Sequence, residues 1–178
     1  MSSALARNLA GATTRPARNH VALMLGLVTL PVLLLDQMSK HLVSTHFELY
    51  QSRPIVPGWL DLAYTLNPGA AFSLFATMPA GFRHVFFIVL SFGAIVVLTV
   101  LLAREASMRS SAIAFALILG GTIGNLIDRL MRGRVVDFIY FHHGWFSYPV
   151  FNFADSAITI GVALILIFSA FGSSPPQT

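Results

Sequence analysis

The chain has 178 residues, of which 56% are apolar and only 10% charged, with a formal net charge of +4 and no cysteine. That balance lies outside the range of soluble domains and inside that of integral membrane proteins. It excludes disulfides, thiolate catalysis and cysteine-based metal sites. The basic residues are dispersed along the flanks of apolar runs, which argues against nucleic acid as a partner.

In chain order, residues 1–19 read as a small, polar, basic tail. An apolar run at 21–35 follows and ends in Leu35-Asp36-Gln37-Met38-Ser39-Lys40. A secretory leader has the same basic-then-apolar layout, but no small-residue cleavage site follows, so the run reads as a retained span. Further runs occupy 85–103, 111–127 and 156–171. Roughly 20 helical residues cross a hydrocarbon core about 30 Å thick. The first, third and fourth runs fall short of that and must draw in flanking residues, Asp36, Asp128 and Asp155 among them. The expected fold class is an all-α membrane protein with spans at about 21–36, 85–103, 111–128 and 155–171, in one domain over 20–172, followed by a tail at 173–178.

Arg7, Arg15 and Arg18 precede the first run, which by the positive-inside tendency places the N-terminus in the cytoplasm. Four crossings return the C-terminus to the same side, with Arg104 and Arg109 in a cytoplasmic turn. Lys40, Arg53, Arg83, Arg129, Arg132 and Arg134 then all lie outside, so the orientation rests on the first flank and the short turn. By the same parity Asp36, Asp128 and Asp155 gather at the outer face.

The outer stretch 47–83 is punctuated by Pro54, Pro57, Gly58, Pro68, Gly69 and Pro79. Within it Trp59, Leu60, Leu62, Tyr64 and Leu66 nearly alternate, which predicts a strand and a small extracytoplasmic β-containing segment on the membrane surface. Trp59, Trp145 and Tyr148 suit an interfacial belt. The second outer loop, 132–150, opens with Val135-Val136-Asp137-Phe138-Ile139, in which a solitary carboxylate among apolar neighbours must face water or find a partner. Asp155, in Phe151-Asn152-Phe153-Ala154-Asp155, is in the same position.

If these two acids meet, they cannot readily both ionise, so one becomes a base and the other an acid. Such a pair can activate water against a peptide carbonyl with no metal or cofactor. On spacing alone, Asp155 is equally well read as a helix cap. Asn152, three residues earlier, has the same two readings. Asn125 and Arg129 share one helical face, Asp128 beside them suits an interfacial anchor, and Asp36 and Lys40 have the spacing of an exposed i,i+4 ion pair. Asn67 and Gly69 sit in an Asn-Pro-Gly turn able to clamp an extended peptide, and Gly121 and Gly124 read as helix-packing positions. His142-His143, His41 and His46 lack the register of a helical metal site. Adjacent Ser39 and Lys40 point in different directions on a helix and make a poor Ser–Lys pair.

Five segments in order, Asp36-Gln37 with Lys40, Asn67-Pro68-Gly69-Ala70-Ala71-Phe72-Ser73, Gly121-Thr122-Ile123-Gly124-Asn125-Leu126-Ile127-Asp128-Arg129, Val135-Val136-Asp137-Phe138 and Phe151-Asn152-Phe153-Ala154-Asp155-Ser156, resemble the motifs of bacterial lipoprotein signal peptidase, or signal peptidase II. The resemblance covers about residues 30–160. It implies an aspartyl endopeptidase of the bacterial inner membrane, with Asp137 and Asp155 as its dyad; a monomer is expected, although the sequence does not decide the oligomeric state. It also implies Asn67, Gly69, Asn125, Arg129, Asn152, Asp36 and Asp128 as substrate-binding or supporting residues. The implied substrate is a prolipoprotein whose lipobox cysteine carries a diacylglyceryl group, met within membrane lipid and cut just before that cysteine; no metal or cofactor is implied. The rival reading is a small transporter or proton channel. Its acids belong near the midplane on broken helices, whereas these gather at one boundary.

Overall fold

The computed structural model describes residues 15–69, 78–105 and 110–171. Arg7, Arg109, the Ala70–Ser73 part of the turn motif and the 173–178 tail lie outside the described residues. The first span joins α1 (Arg15–Met24), a π-helical turn (Leu25–Thr29) and α2 (Leu30–His46). It is followed by α3 (Ala80–Arg104), α4 (Ser110–Arg132) and α5 (Phe153–Phe171). Helix therefore begins at Arg15, inside the segment expected to be a tail.

Among the described residues, four helices are long and apolar enough to cross a membrane, from the 27-residue His20–His46 to the 19-residue Phe153–Phe171. They outrun the apolar runs that predict them, α2 by a further eleven residues and α4 to Arg132, because helical hydrogen bonding continues into polar sequence when that sequence has buried partners. The π-helical turn precedes Pro31, which lacks an N–H and crowds the carbonyl four residues back. Widening the turn, with Leu30 N–H donating to Leu25 O, absorbs that conflict. Thr29 Oγ1 then donates to Ala116 O at 3.0 Å.

Helix α4 is the centre of the bundle, packing on α2, α3 and α5. Its apolar window is 56% buried against 17% in each other span, and its mean hydropathy of 1.5 is the lowest of the four. The central helix contacts protein more than lipid and so carries the polar residues. Small residues admit its neighbours: a Cβ on Gly121 would strike Ala154 O, one on Gly124 would strike Asp36 Oδ2, and one on Gly161 would meet Ile118 Cγ1 at 2.5 Å and Ala114 O at 2.8 Å. Gly121 and Gly124 serve packing, as the sequence predicts, and Gly161 does so as well. An apolar cluster of Met24, Leu98, Leu102, Ala112, Ala116 and Leu119 closes the opposite end of the bundle.

The connections at the other end build a four-stranded antiparallel sheet in the order β1 (Ser52–Val56), β2 (Leu60–Asn67), β3 (Val135–His143) and β4 (Phe146–Ser147). The predicted strand is β2. Strand β1 contains Pro54 and is tolerated as an exposed edge. Register places Thr65 opposite Asp137 and Asn67 opposite Val135, so Asn67 is a diagonal neighbour of Asp137 on one face. Phe138 and Ile139 N–H both donate to Phe151 O, and Phe151 N–H returns to Ile139 O, tying β3 to the entry of α5.

Gly161→Ala should lower the midpoint of thermal unfolding in detergent by several degrees, since overpacking costs roughly 1–3 kcal/mol. Gly93→Ala, where a new Cβ meets nothing within 4 Å, should not lower it.

Candidate active site

Helix α5 starts with a reciprocal cap. Asp155 N–H donates to Asn152 Oδ1 at 2.9 Å and Asn152 N–H to Asp155 Oδ2 at 3.3 Å, so both residues expected as caps are caps. Capping leaves Asn152 Nδ2 free to donate to Asp137 Oδ1 at 2.6 Å, as well as to Val136 O and Asn125 Oδ1. Asn152 therefore bonds both carboxylates, Asp137 through its side-chain amide and Asp155 through its backbone N–H, so a capping role does not exclude a second role for either Asn152 or Asp155.

Asp137 is only 2% exposed. Its second oxygen accepts Asn67 Nδ2 at 2.9 Å, while Asn67 Oδ1 accepts Gly69 N–H at 2.8 Å in the predicted tight turn. Gly69 has φ of +101° and lies over the Phe87 ring, where no Cβ fits. Burial, and then the charge of Asp155, push the Asp137 carboxyl from 3.8 up to about 7, with the two Asn amides and Lys40 pulling the other way. Asp155 Oδ1 accepts Asn125 Nδ2 at 2.8 Å. Asp155 also lines a cleft of about 290 Å³ along α5, together with Tyr148, Phe151, Ser156, Thr159 and Ile160.

Beneath the two acids lies a second cluster. Lys40 is fully buried, and its Nζ is 2.8 Å from Asp36 Oδ2, 3.1 Å from Asp128 Oδ2 and 2.9 Å from Asn125 Oδ1. Three N–H bonds meet three acceptors, which satisfies an ammonium. Asp36 Oδ1 accepts Ala154 N–H at 2.9 Å, and Asp128 accepts Val136 N–H and Arg132 Nη1, each at 3.1 Å. The i,i+4 pair of Asp36 and Lys40 thus forms, but the expectation that it is exposed is wrong: α4 and α5 cover it, and Gly124 leaves room for the Asp36 carboxylate. Asp128 is likewise more than an interfacial anchor, because it holds the start of β3.

Arg129 Nη1 donates to Asn125 O at 3.3 Å, and its guanidinium lies 5.2 Å from the Phe87 ring centre, within the field of Asp155, Asp137 and Asp128. All nine residues singled out from the sequence therefore converge on one end of the bundle. Sequence reasoning missed the burial of Lys40 and the contribution of Phe87; the only signal for the first was its spacing from Asp36, and for the second there was none. His142 lies apart, 3.2 Å from Asp61 Oδ1, and His143 stacks on Trp59 at 3.7 Å. Ser39 Oγ donates to Asp36 O, away from the Lys40 ammonium.

The sequence model described as Signal peptidase (SPase) II matches residues 28–171. The chain belongs to the signal peptidase II family. A lipoprotein signal peptidase of Yersinia enterocolitica is 45% identical over 148 residues, covering 83% of this chain and 86% of that one. One from Photorhabdus laumondii is 48% identical over 139 residues, covering 78% and 82%. A bacterial membrane enzyme solved by the in meso method at 2.3 Å resolution superposes with a TM-score of 0.71 at 29% identity, covering 85% of this chain and 92% of that one. Family membership makes this signal peptidase II chain a multi-pass membrane protease.

Removing Lys40 alone leaves Asp36 and Asp128 buried against each other's charge. Lys40→Met should destabilise the fold by about 3–5 kcal/mol, and Asp36→Asn/Lys40→Met should recover much of that, read by thermal unfolding in detergent. The raised Asp137 carboxyl has its own signature. Its neutral form is favoured by folding, so its contribution is fully present below pH 3.8 and is lost as pH rises through about 7. The unfolding midpoint of the wild type should fall across that window, and Asp137→Asn should flatten the fall.

Proposed function

We propose that this chain is an aspartic endopeptidase that removes signal peptides from diacylglyceryl-modified prolipoproteins, cutting just before the lipidated cysteine, with Asp137 and Asp155 as its dyad. The observation that carries the reading is that Asn152 bonds both carboxylates, Asp137 through its side-chain amide and Asp155 through its backbone N–H, with one acid enclosed and the other lining a cleft. Relatives named lipoprotein signal peptidase support the substrate class.

One acid of the dyad is ionised and takes a proton from water as its oxygen bonds to the scissile carbonyl carbon. The protonated acid gives its proton to the carbonyl oxygen. On collapse, the C–N bond breaks, the leaving nitrogen takes the proton held by the base, and the hydroxyl proton of the intermediate returns to its donor. Asn67 and Gly69 at the turn, and Arg129 with Asn125 on α4, hold the substrate backbone or the dyad. The basic flank of the first span supports a cytoplasmic N-terminus and a dyad at the outer face of the bacterial inner membrane. There a substrate made of a signal helix and a lipid can present its bond to water. The chain acts as a monomer in this reading, since all the proposed residues come from one copy.

Purified protein in detergent should cleave a diacylglyceryl-modified prolipoprotein and spare the unmodified one in a gel-shift assay. Asp137→Asn and Asp155→Asn should each lower the rate at least about 100-fold while remaining folded, because an amide keeps the shape but cannot cycle a proton. Since the dyad works with one proton, the rate should also decline as pH rises above about 7, where Asp137 ionises. Intact lipidated substrate with folded wild type would overturn the reading.

A further inference from the structure

The polar cluster holds one more carboxylate than it holds cations. Asp36 and Asp128 face Lys40, Asp128 also faces Arg132, and Arg129 lies in the field of Asp128, Asp137 and Asp155. Four acids against Lys40, Arg129 and Arg132 balance when a single proton is bound. The hydrogen bonds say where that proton belongs. An ammonium can only donate, so the amide oxygen of Asn125 must face Lys40 Nζ at 2.9 Å, and its amide nitrogen is forced onto Asp155 Oδ1 at 2.8 Å. The other Asp155 oxygen accepts Asn152 N–H in the first turn of α5, where the helix dipole favours negative charge. Asp137, by contrast, is enclosed between buried Val135, Val136 and Phe138 and meets Lys40 only through two successive amides, Asn125 and Asn152.

We infer that Lys40 is a positioning residue of the reaction: by fixing the Asn125 amide it holds Asp155 as the ionised member of the dyad and leaves the single proton on Asp137. Asp155 is then the base that takes the proton from water, and Asp137 is the acid that protonates the carbonyl oxygen. This assignment rests on the dyad reading above. It gives the α2 lysine a part in catalysis that an ion pair confined to helix packing would not have.

The test compares wild type, Lys40→Met, Asp36→Asn/Lys40→Met and Asp155→Asn in detergent on a diacylglyceryl-modified prolipoprotein, with kcat and KM measured from pH 5 to 9. The double variant removes the buried charges together, so the experiment does not depend on the single variant folding. Gly161→Ala serves as a control for lost stability far from the dyad. The expected result is a kcat lower by about 10- to 100-fold in the folded Lys40 variants with KM within about twofold. The acid limb of the kcat profile should move to higher pH in both Lys40 variants, because the Asn125 amide is no longer fixed as a donor to Asp155, whereas Gly161→Ala should keep the wild-type limb. Folded Lys40 variants with wild-type kcat, or with a lowered kcat and an unmoved limb, would overturn the role of Lys40 while leaving the dyad standing. Full cleavage by Asp155→Asn would overturn both.

Discussion

A fully buried lysine organises this structure. Desolvating an ammonium costs several kcal/mol unless every N–H is met and compensating charge is close. Lys40 finds both only when α2, α4 and the start of α5 are in place, because Asp36 and Asp128 come from different helices and Asp36 is itself held by Ala154 N–H. The same Asp128 takes Val136 N–H, which sets the height of β3 on the bundle. Helix packing in lipid lacks a hydrophobic driving force between helices. A charge that can be satisfied in only one arrangement specifies that arrangement, and here it aligns the spans in depth.

The central helix shows how this is compatible with a membrane. Of the four spans, α4 has the lowest mean hydropathy and the greatest burial. Its glycines let α5 and the Asp36 carboxylate approach, and its last two turns carry Asn125, Asp128, Arg129 and Arg132. The apolar contacts among Met24, Leu98, Leu102 and Ala116 lie towards the other end. Segregating polar and apolar contacts along one helix keeps the charges near an interface, where the sheet caps them.

Much of this was legible in the sequence. Four apolar runs and their parity put Asp36, Asp128 and Asp155 at one end, and alternation gave β2. Where reading failed, the cause is tertiary. An i,i+4 spacing is equally compatible with an exposed and a buried pair; what decides for Asp36 and Lys40 is the helix 85 residues away that supplies Asn125. Strand β3 hides its period because Val135, Val136, Asp137 and Phe138 are all buried, so both of its faces are covered there. The helix ends were set too short, since hydropathy marks contact with lipid while the backbone ladder stops only where its own bonds do. Cap and proposed dyad member are compatible roles for Asp155, because a carboxylate with two oxygens can serve both.

That double use is the last step in the physical account. In the proposed dyad a carboxylate needs enough burial to share a proton and enough hydrogen bonding to stay in place, and the two demands conflict if each bond stabilises the charge fully. In this site the bonds come mainly from asparagine amides, which donate to the acids without adding a full charge of their own. The Lys40 charge is placed behind an amide, that of Asn125. The Asp137 carboxyl therefore stays raised to about 7 although both of its oxygens are hydrogen-bonded. Replacing Asn125 or Asn152 by a basic residue would supply a stronger bond and favour ionisation of both acids, against the single proton that the proposed dyad requires. Neutral ligands around the two carboxylates, with Lys40 one step removed, let a rigidly held Asp137 stay near its titration point.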